Sequence, residues 1–124
     1  MLYALLAYHV EDLITALSPA EDAALMEGLH KVHDRWFADG ALGPAARLAP
    51  TGGAVTVRRG KRIAVLDGPF AETKEQLLGF YVIDVPGLEA AIQAADDLGK
   101  VNPTAVYEIR PIATYLPGKP IARS

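Results

Sequence analysis

An α+β fold, with an antiparallel sheet and two helices on one of its faces, is what this sequence predicts, and three observations carry the prediction. Apolar, β-rich runs open and close the chain, at "LYALLAY" (Leu2 to Tyr8) and "AVYEIRPI" (Ala105 to Ile112). Two segments with helical periodicity each stand between strands. A pair of β-branched runs meets across a basic turn in "AVTVRRGKRIAVL". The order is therefore β-α-β, an inserted β-hairpin, then β-α-β, which is the ferredoxin-like βαββαβ pattern with one extra hairpin.

Each element has its own local signal. "LYALLAY" is apolar at both parities, as expected of a central strand covered on both faces. The first helix starts at Ser18 as N-cap, with Pro19 at its first position and Glu21 completing a capping box, and stops at Gly40. Leu25, Leu29, Val32 and Trp36 repeat along it as a buried stripe. A short strand is expected from Ala45 to Leu48, and the hairpin turn falls at Arg59 to Lys61. "GFYVIDV" (Gly79 to Val85) is the next strand, and the second helix presents Leu88, Ala91, Ile92, Ala95 and Leu98 before ending at Gly99. A sheet with all its helices on one face leaves the other bare, and a homodimer stacked sheet on sheet is the simplest cover. The 124 residues hold one domain, expected over residues 1–113, with a Pro-rich tail over 114–124.

Composition excludes several classes of function. Twelve basic residues against fifteen acidic ones, scattered rather than clustered, leave no footprint for a nucleic acid. No cysteine is present, which removes disulfides, thiolate metal sites and cysteine nucleophiles. The opening apolar run is too short for a membrane span and lacks the features of a signal peptide, so the expectation is a soluble cytoplasmic protein. The glycines around Lys61 have the wrong spacing for a phosphate-binding loop, and there is no G-x-G-x-x-G or G-x-S-x-G. No cofactor is expected.

The remaining chemistry rests on histidines and on one charged stretch. His33 borders the buried stripe of the first helix, whereas His30 turns toward solvent with Asp34 four residues on. His33, His30 and Asp34 are the candidates for acid-base work. Read as metal ligands, "HKVHD" lacks the wider signature of a known zinc site, and no metal is assigned. His9, just past the first strand, is either a ligand contact or a partly exposed loop residue. In "DGPFAETKEQLLGFYVIDV", Asp67 to Pro69 read as a turn and Phe70 as a core anchor. "AETKEQLLG" can make about two helical turns. Its Glu72, Lys74 and Glu75 are either a solvated face or, with Asp67 and His9, the polar rim of a ligand pocket. The tyrosines and Trp36 read as core and interface material.

The same stretch, with Asp67, Gly68, Pro69 and Phe70 followed by Glu72, Lys74, Glu75, Gly79 and Tyr81, resembles the YCII-related family, in its DGPF-domain branch. The opening strand, the helix ending in "ADGAL" and the closing "YEIRPI" extend the resemblance over nearly the whole chain. It implies a dimeric α+β-barrel fold. It also implies, from the better-studied relatives, a histidine on the first helix acting with an aspartate. Counted back from Gly40, that histidine position falls nearest Leu29, one residue from His30. One relative is a dehalogenating lyase, and DGPF proteins are often encoded beside sigma factors. Two functions follow as expectations: a cofactor-free acid-base enzyme of lyase or isomerase type on a small anionic or aromatic metabolite, or a non-catalytic dimeric module that binds a small molecule or a regulatory protein.

Overall fold

In a computed structural model, which describes residues 1–121, six strands and three helices follow one another along the chain. They are β1 (Leu2–His9), α1 (Glu11–Thr15), α2 (Pro19–Ala38), β2 (Leu42–Arg47), β3 (Val55–Arg59), β4 (Ile63–Asp67), β5 (Gln76–Asp84), α3 (Leu88–Val101) and β6 (Val106–Pro111), with a 3-10 turn at Thr51–Gly53. Four strands make one antiparallel sheet in the order β2-β5-β1-β6, consistent with a ferredoxin-like arrangement. Among the described residues β3 and β4 pair only with each other, as a separate two-stranded ribbon.

Strand parity decides which side chains meet the helices. Tyr3 and Leu5 of β1 stand opposite Ile83 and Tyr81 of β5, and they share one core with Leu29, Val32 and Trp36 of α2 and Ala91, Ala94 and Leu98 of α3. Both long helices therefore cover the same face. Leu5, Ile83 and Leu98 are completely buried, and each such side chain contributes about 1.5–3 kcal/mol over its exposed state. The alternate residues Ala4, Leu6, Phe80 and Val82 point to the opposite face, where none is fully buried.

The helix α2 begins as its sequence dictates. Ser18 Oγ accepts from the Glu21 amide at 3.1 Å while the Glu21 carboxylate accepts from the Ser18 amide at 2.9 Å. At its other end Gly40 takes φ +72°, the left-handed conformation that ends a helix most cheaply in glycine.

The structure departs from the sequence reading at several points. A short helix, α1, follows β1 directly. β2 starts at Leu42 rather than Ala45, and the ribbon turn lies one residue later, at Gly60 to Arg62. Residues 71–75 are not helical: Thr73 Oγ1 donates to the Glu75 carbonyl and Gln76 Nε2 donates to the Thr73 carbonyl at 2.7 Å, so side chains occupy groups that a helix would need. Such a short segment also cannot repay helix nucleation without packing. Phe70 is 76% exposed and lies under the Arg58 guanidinium, 5.4 Å from ring centre to Cζ, instead of anchoring a core. Finally, α3 is rotated from its expected face, with Ala91 and Ala94 buried and Leu88 and Ile92 more than half exposed. Small residues inward let α3 lie close to its neighbours, and at Gly28 of α2 even a methyl group would come within 3.2 Å of Val101.

Candidate functional site

The core is dense at one end of the sheet and hollow at the other, and side-chain size along β1 and β5 is the reason. Where Tyr3 pairs with Ile83 and Leu5 with Tyr81, large groups fill the space under the helices. One pair further on, Ala7 stands opposite Gly79, and two small residues leave a gap. A cavity of about 290 Å³ occupies it, floored by Ala7 and Gly79 and walled by Leu25, Met26 and Leu29 of α2 and by Ile14 of α1. The lining is mainly apolar.

Four polar groups enter this space from four different elements. His33 of α2 and Tyr81 of β5 meet at 2.7 Å between Nε2 and the phenol oxygen. Their rings are 5.1 Å apart, and Trp36 stands edge-on to Tyr81 at 5.5 Å, which fixes both orientations. Burial, followed by the repulsion of His30, pulls the His33 imidazole below its ordinary range, against a smaller opposing pull from Asp34. Burial, followed by the neighbouring Tyr107 hydroxyl, pushes the Tyr81 phenol well above its ordinary range. Near neutral pH the pair is thus a protonated phenol donating to a neutral imidazole.

His9 closes the far wall. As the last residue of β1 it is only 3% exposed, and its Nδ1 lies 3.1 Å from the Val10 carbonyl while Nε2 lies 2.6 Å from Thr104 Oγ1. A carbonyl can only accept, so Nδ1 carries a proton, and Nε2 shares its hydrogen bond with the threonine hydroxyl. Tyr107 of β6 is the fourth group. Its hydroxyl oxygen accepts from Asn102 Nδ2 at 3.2 Å, and burial raises its pKa, with the Asn102 bond opposing. Arg47, at the rim, is held by Asp22 at 2.9 Å.

Of the residues singled out in the sequence, His33 and His9 line the cavity. His9 belongs to the strand and is buried, contrary to the loop alternative. His30 is exposed on α2 with its ring 5.8 Å from that of His33, and Asp34 is exposed as well. No ion pair joins His30 to Asp34 among the described residues. Asp67 ends β4 in solvent, Glu72 and Lys74 are exposed, Glu75 is half-buried, and none of these four lines the cavity. Among the described residues no carboxylate lines it at all, so the histidine's partner is a phenol rather than an acid. Nor do three His, Asp or Glu side chains converge to hold a metal ion among those residues, and no described helix is long and apolar enough to cross a membrane.

Tyr81 and Tyr107 were not legible as site residues. Each shares the helix-facing parity of its strand with an isoleucine, Ile83 and Ile109, which is the pattern of core. The available signal was the hydroxyl itself, since a buried phenol requires a partner.

A family model for the YCII-related domain matches residues 1–115. An uncharacterised protein of Rhizobium meliloti (strain 1021) is 51% identical over 122 residues, a match covering 96% of this chain and 98% of the relative. By the extent of the family match and the closeness of that relative, the chain belongs to the YCII-related family.

Proposed function

We propose that the protein is a cofactor-free acid-base enzyme of lyase or isomerase type, acting on a small anionic or aromatic metabolite bound in the cavity between α2 and the sheet. The observation that carries the proposal is the 2.7 Å contact of His33 Nε2 with the Tyr81 hydroxyl inside a mainly apolar cavity. A neutral imidazole is a base poised for work near neutral pH. Tyr81 extends it into the cavity: as the phenol oxygen accepts a proton from the substrate, the phenol's own proton passes to His33 Nε2, and the tyrosine ends as it began. Desolvation strengthens each of these interactions relative to water. His33 is the ultimate base, Tyr81 the group that touches substrate, and His9 a fixed polar wall.

The finer family placement, in the DGPF-domain branch, is supported by the Asp67 to Phe70 tetrapeptide, and a homodimer is supported by the incompletely buried apolar face of the sheet at Ala4, Leu6, Phe80 and Val82. A cytoplasmic location is supported by the absence of cysteine from the sequence. A second reading, a non-catalytic dimeric module engaging a regulatory protein, is favoured by the β3–β4 ribbon, where Val55, Val57, Ile63 and Val65 are each more than half exposed.

The test is proton exchange. Small carbonyl acids, lactones and phenols are incubated with the protein in deuterated water, and loss of carbon-bound protons is followed by NMR. Catalysed exchange that disappears in His33→Gln and falls sharply in Tyr81→Phe supports the enzyme. Ligand binding with no exchange in any compound, together with capture of a protein by the ribbon, turns the assignment to the module.

A further inference from the structure

Tyr107 differs from Tyr81 in what its hydroxyl still has to give. The Tyr81 hydrogen is taken by His33. At Tyr107 the oxygen is the acceptor, from Asn102 Nδ2 at 3.2 Å, and among the described residues no acceptor takes its hydrogen. A half-buried phenol donor is thereby left free at a cavity wall, its oxygen held by the Asn102 amide, which lines the same cavity. Tyr107 stands opposite Ala7 in the sheet, and Ala7 stands opposite Gly79, so the space beside the ring is open across the width of two strands. Tyr81 stands diagonally across β1 from Tyr107, one pair along, beside Leu5. The cavity lining thus holds a proton acceptor, the His33–Tyr81 pair, and an unengaged proton donor, Tyr107. It has no lining carboxylate among the described residues to compete for that donor.

We propose that Tyr107, positioned by Asn102, is the oxyanion-binding residue of the site, and that the substrate is a small carbonyl compound whose negative charge develops on oxygen when a neighbouring C–H is deprotonated. The assignment rests on the acid-base reading for removal of that proton. The C–H bond breaks, and its electron pair becomes a C=C bond as the carbonyl π pair moves onto oxygen. The proton goes to Tyr81 while the Tyr81 proton goes to His33. The enolate oxygen accepts the Tyr107 hydrogen. Return of the proton to a different carbon gives an isomer, and expulsion of a leaving group from the adjacent carbon gives elimination. Either outcome balances without an oxidant or a reductant. Burial keeps Tyr107 protonated, and a preorganised donor in a partly desolvated site stabilises charge better than one in solvent. Asn102 is a positioning residue: its amide fixes the phenol oxygen and polarises the O–H it leaves free.

Equilibrium binding of 4-nitrophenol tests this without any turnover, because its anion mimics an enolate oxygen and absorbs in the visible. Titrated near the probe's own ionisation, the intact protein takes up the phenolate in preference to the neutral isostere 4-nitroanisole. Tyr107→Phe keeps the ring, and it weakens phenolate binding by about 10- to 100-fold while leaving 4-nitroanisole binding unchanged. Asn102→Ala loses part of the phenolate preference and nothing of the neutral ligand. Thermal unfolding of both variants confirms that the fold is retained. Binding of the neutral form in preference, undiminished phenolate affinity in Tyr107→Phe, or no binding of either probe overturns the assignment. Proton exchange is scored separately: exchange that persists after such a failure leaves the His33–Tyr81 base in place, whereas phenolate binding through Tyr107 without exchange removes the base and keeps the donor.

Discussion

Ala7→Leu sets the two demands on β1 against each other. The Ala7 methyl group floors the cavity, facing Gly79 across one side of the strand and Tyr107 across the other. Leucine adds three carbon atoms. At roughly 30 Å³ each, the share of one water molecule, they take about 90 Å³. That is close to a third of the 290 Å³ available. The added atoms enter empty space rather than packed core, so the usual cost of overpacking is avoided. Burying them contributes up to about 0.8 kcal/mol per carbon, or about 2 kcal/mol as an upper bound.

The variant is therefore expected to be as stable as the parent or up to about 2 kcal/mol more stable. It is also expected to bind neither 4-nitrophenol nor any exchanging substrate. Urea unfolding read by far-ultraviolet circular dichroism measures the first, with the slope checked for constancy so that the midpoint reports stability alone. The titration above measures the second. Loss of more than about 3 kcal/mol would mean that the floor is packed and the cavity is not there to be filled. Unchanged ligand affinity would mean that the space is real but is not where ligands bind. Either result refutes the reasoning.

His33 makes stability depend on pH with a definite sign. Its folded pKa lies below the ordinary value of 6.5, so as pH falls through that value the unfolded chain takes up a proton that the folded chain refuses. Stability contributed by the neutral residue is complete above this window and declines as the solution is acidified, and urea midpoints from pH 7.5 to 5 should fall less in His33→Gln than in the parent. Gly79→Ala places a Cβ 2.8 Å from the Ala46 carbonyl oxygen, a backbone atom that cannot swing aside. It should cost about 1–3 kcal/mol by the same urea measurement. Ser18→Ala removes the hydroxyl that accepts from the Glu21 amide and should cost about 1 kcal/mol while leaving phenolate binding unchanged.

Local signals in the sequence were reliable where the structure is decided locally. The start of α2 could be read from Ser18, Pro19 and Glu21 because capping involves only neighbours along the chain, and the stop at Gly40 depends on one residue's freedom to take positive φ. The order of strands and helices along the chain followed from the same reasoning. Features decided across the sheet were not legible. Leu88 and Ile92 have the size expected of core, yet α3 turns Ala91 and Ala94 inward because the distance between α3 and its neighbours is set by what they carry, Gly28 included. Periodicity gives the angle between residues on a helix but not the side that faces in. His33 was legible because it adjoins a stripe on its own helix. Tyr81 and Tyr107 were not, since their meaning comes from Ala7, a small residue on a third strand.

That third strand shows how one fold makes both a core and a site. Along β1 the helix-facing residues run Tyr3, Leu5, Ala7, His9, from solid packing to cavity to buried imidazole. Opposite them β5 keeps register through Gly79 and then slips: Ala7 pairs with Gly79, but Tyr8 pairs with Leu77, leaving Leu78 as an extra residue in the strand. An irregularity of this kind bends the strand and interrupts the ladder, which ordinarily weakens a sheet. Here it falls at the cavity, and Leu78 itself lines the wall. The two large buried positions on β1 anchor the sheet under α2 and α3, and the slip frees only the end beyond them. There His9 is buried with both ring nitrogens engaged. Core and cavity are separated by position along one strand, so truncating Leu5 should cost stability, whereas enlarging Ala7 should remove ligand binding without that cost.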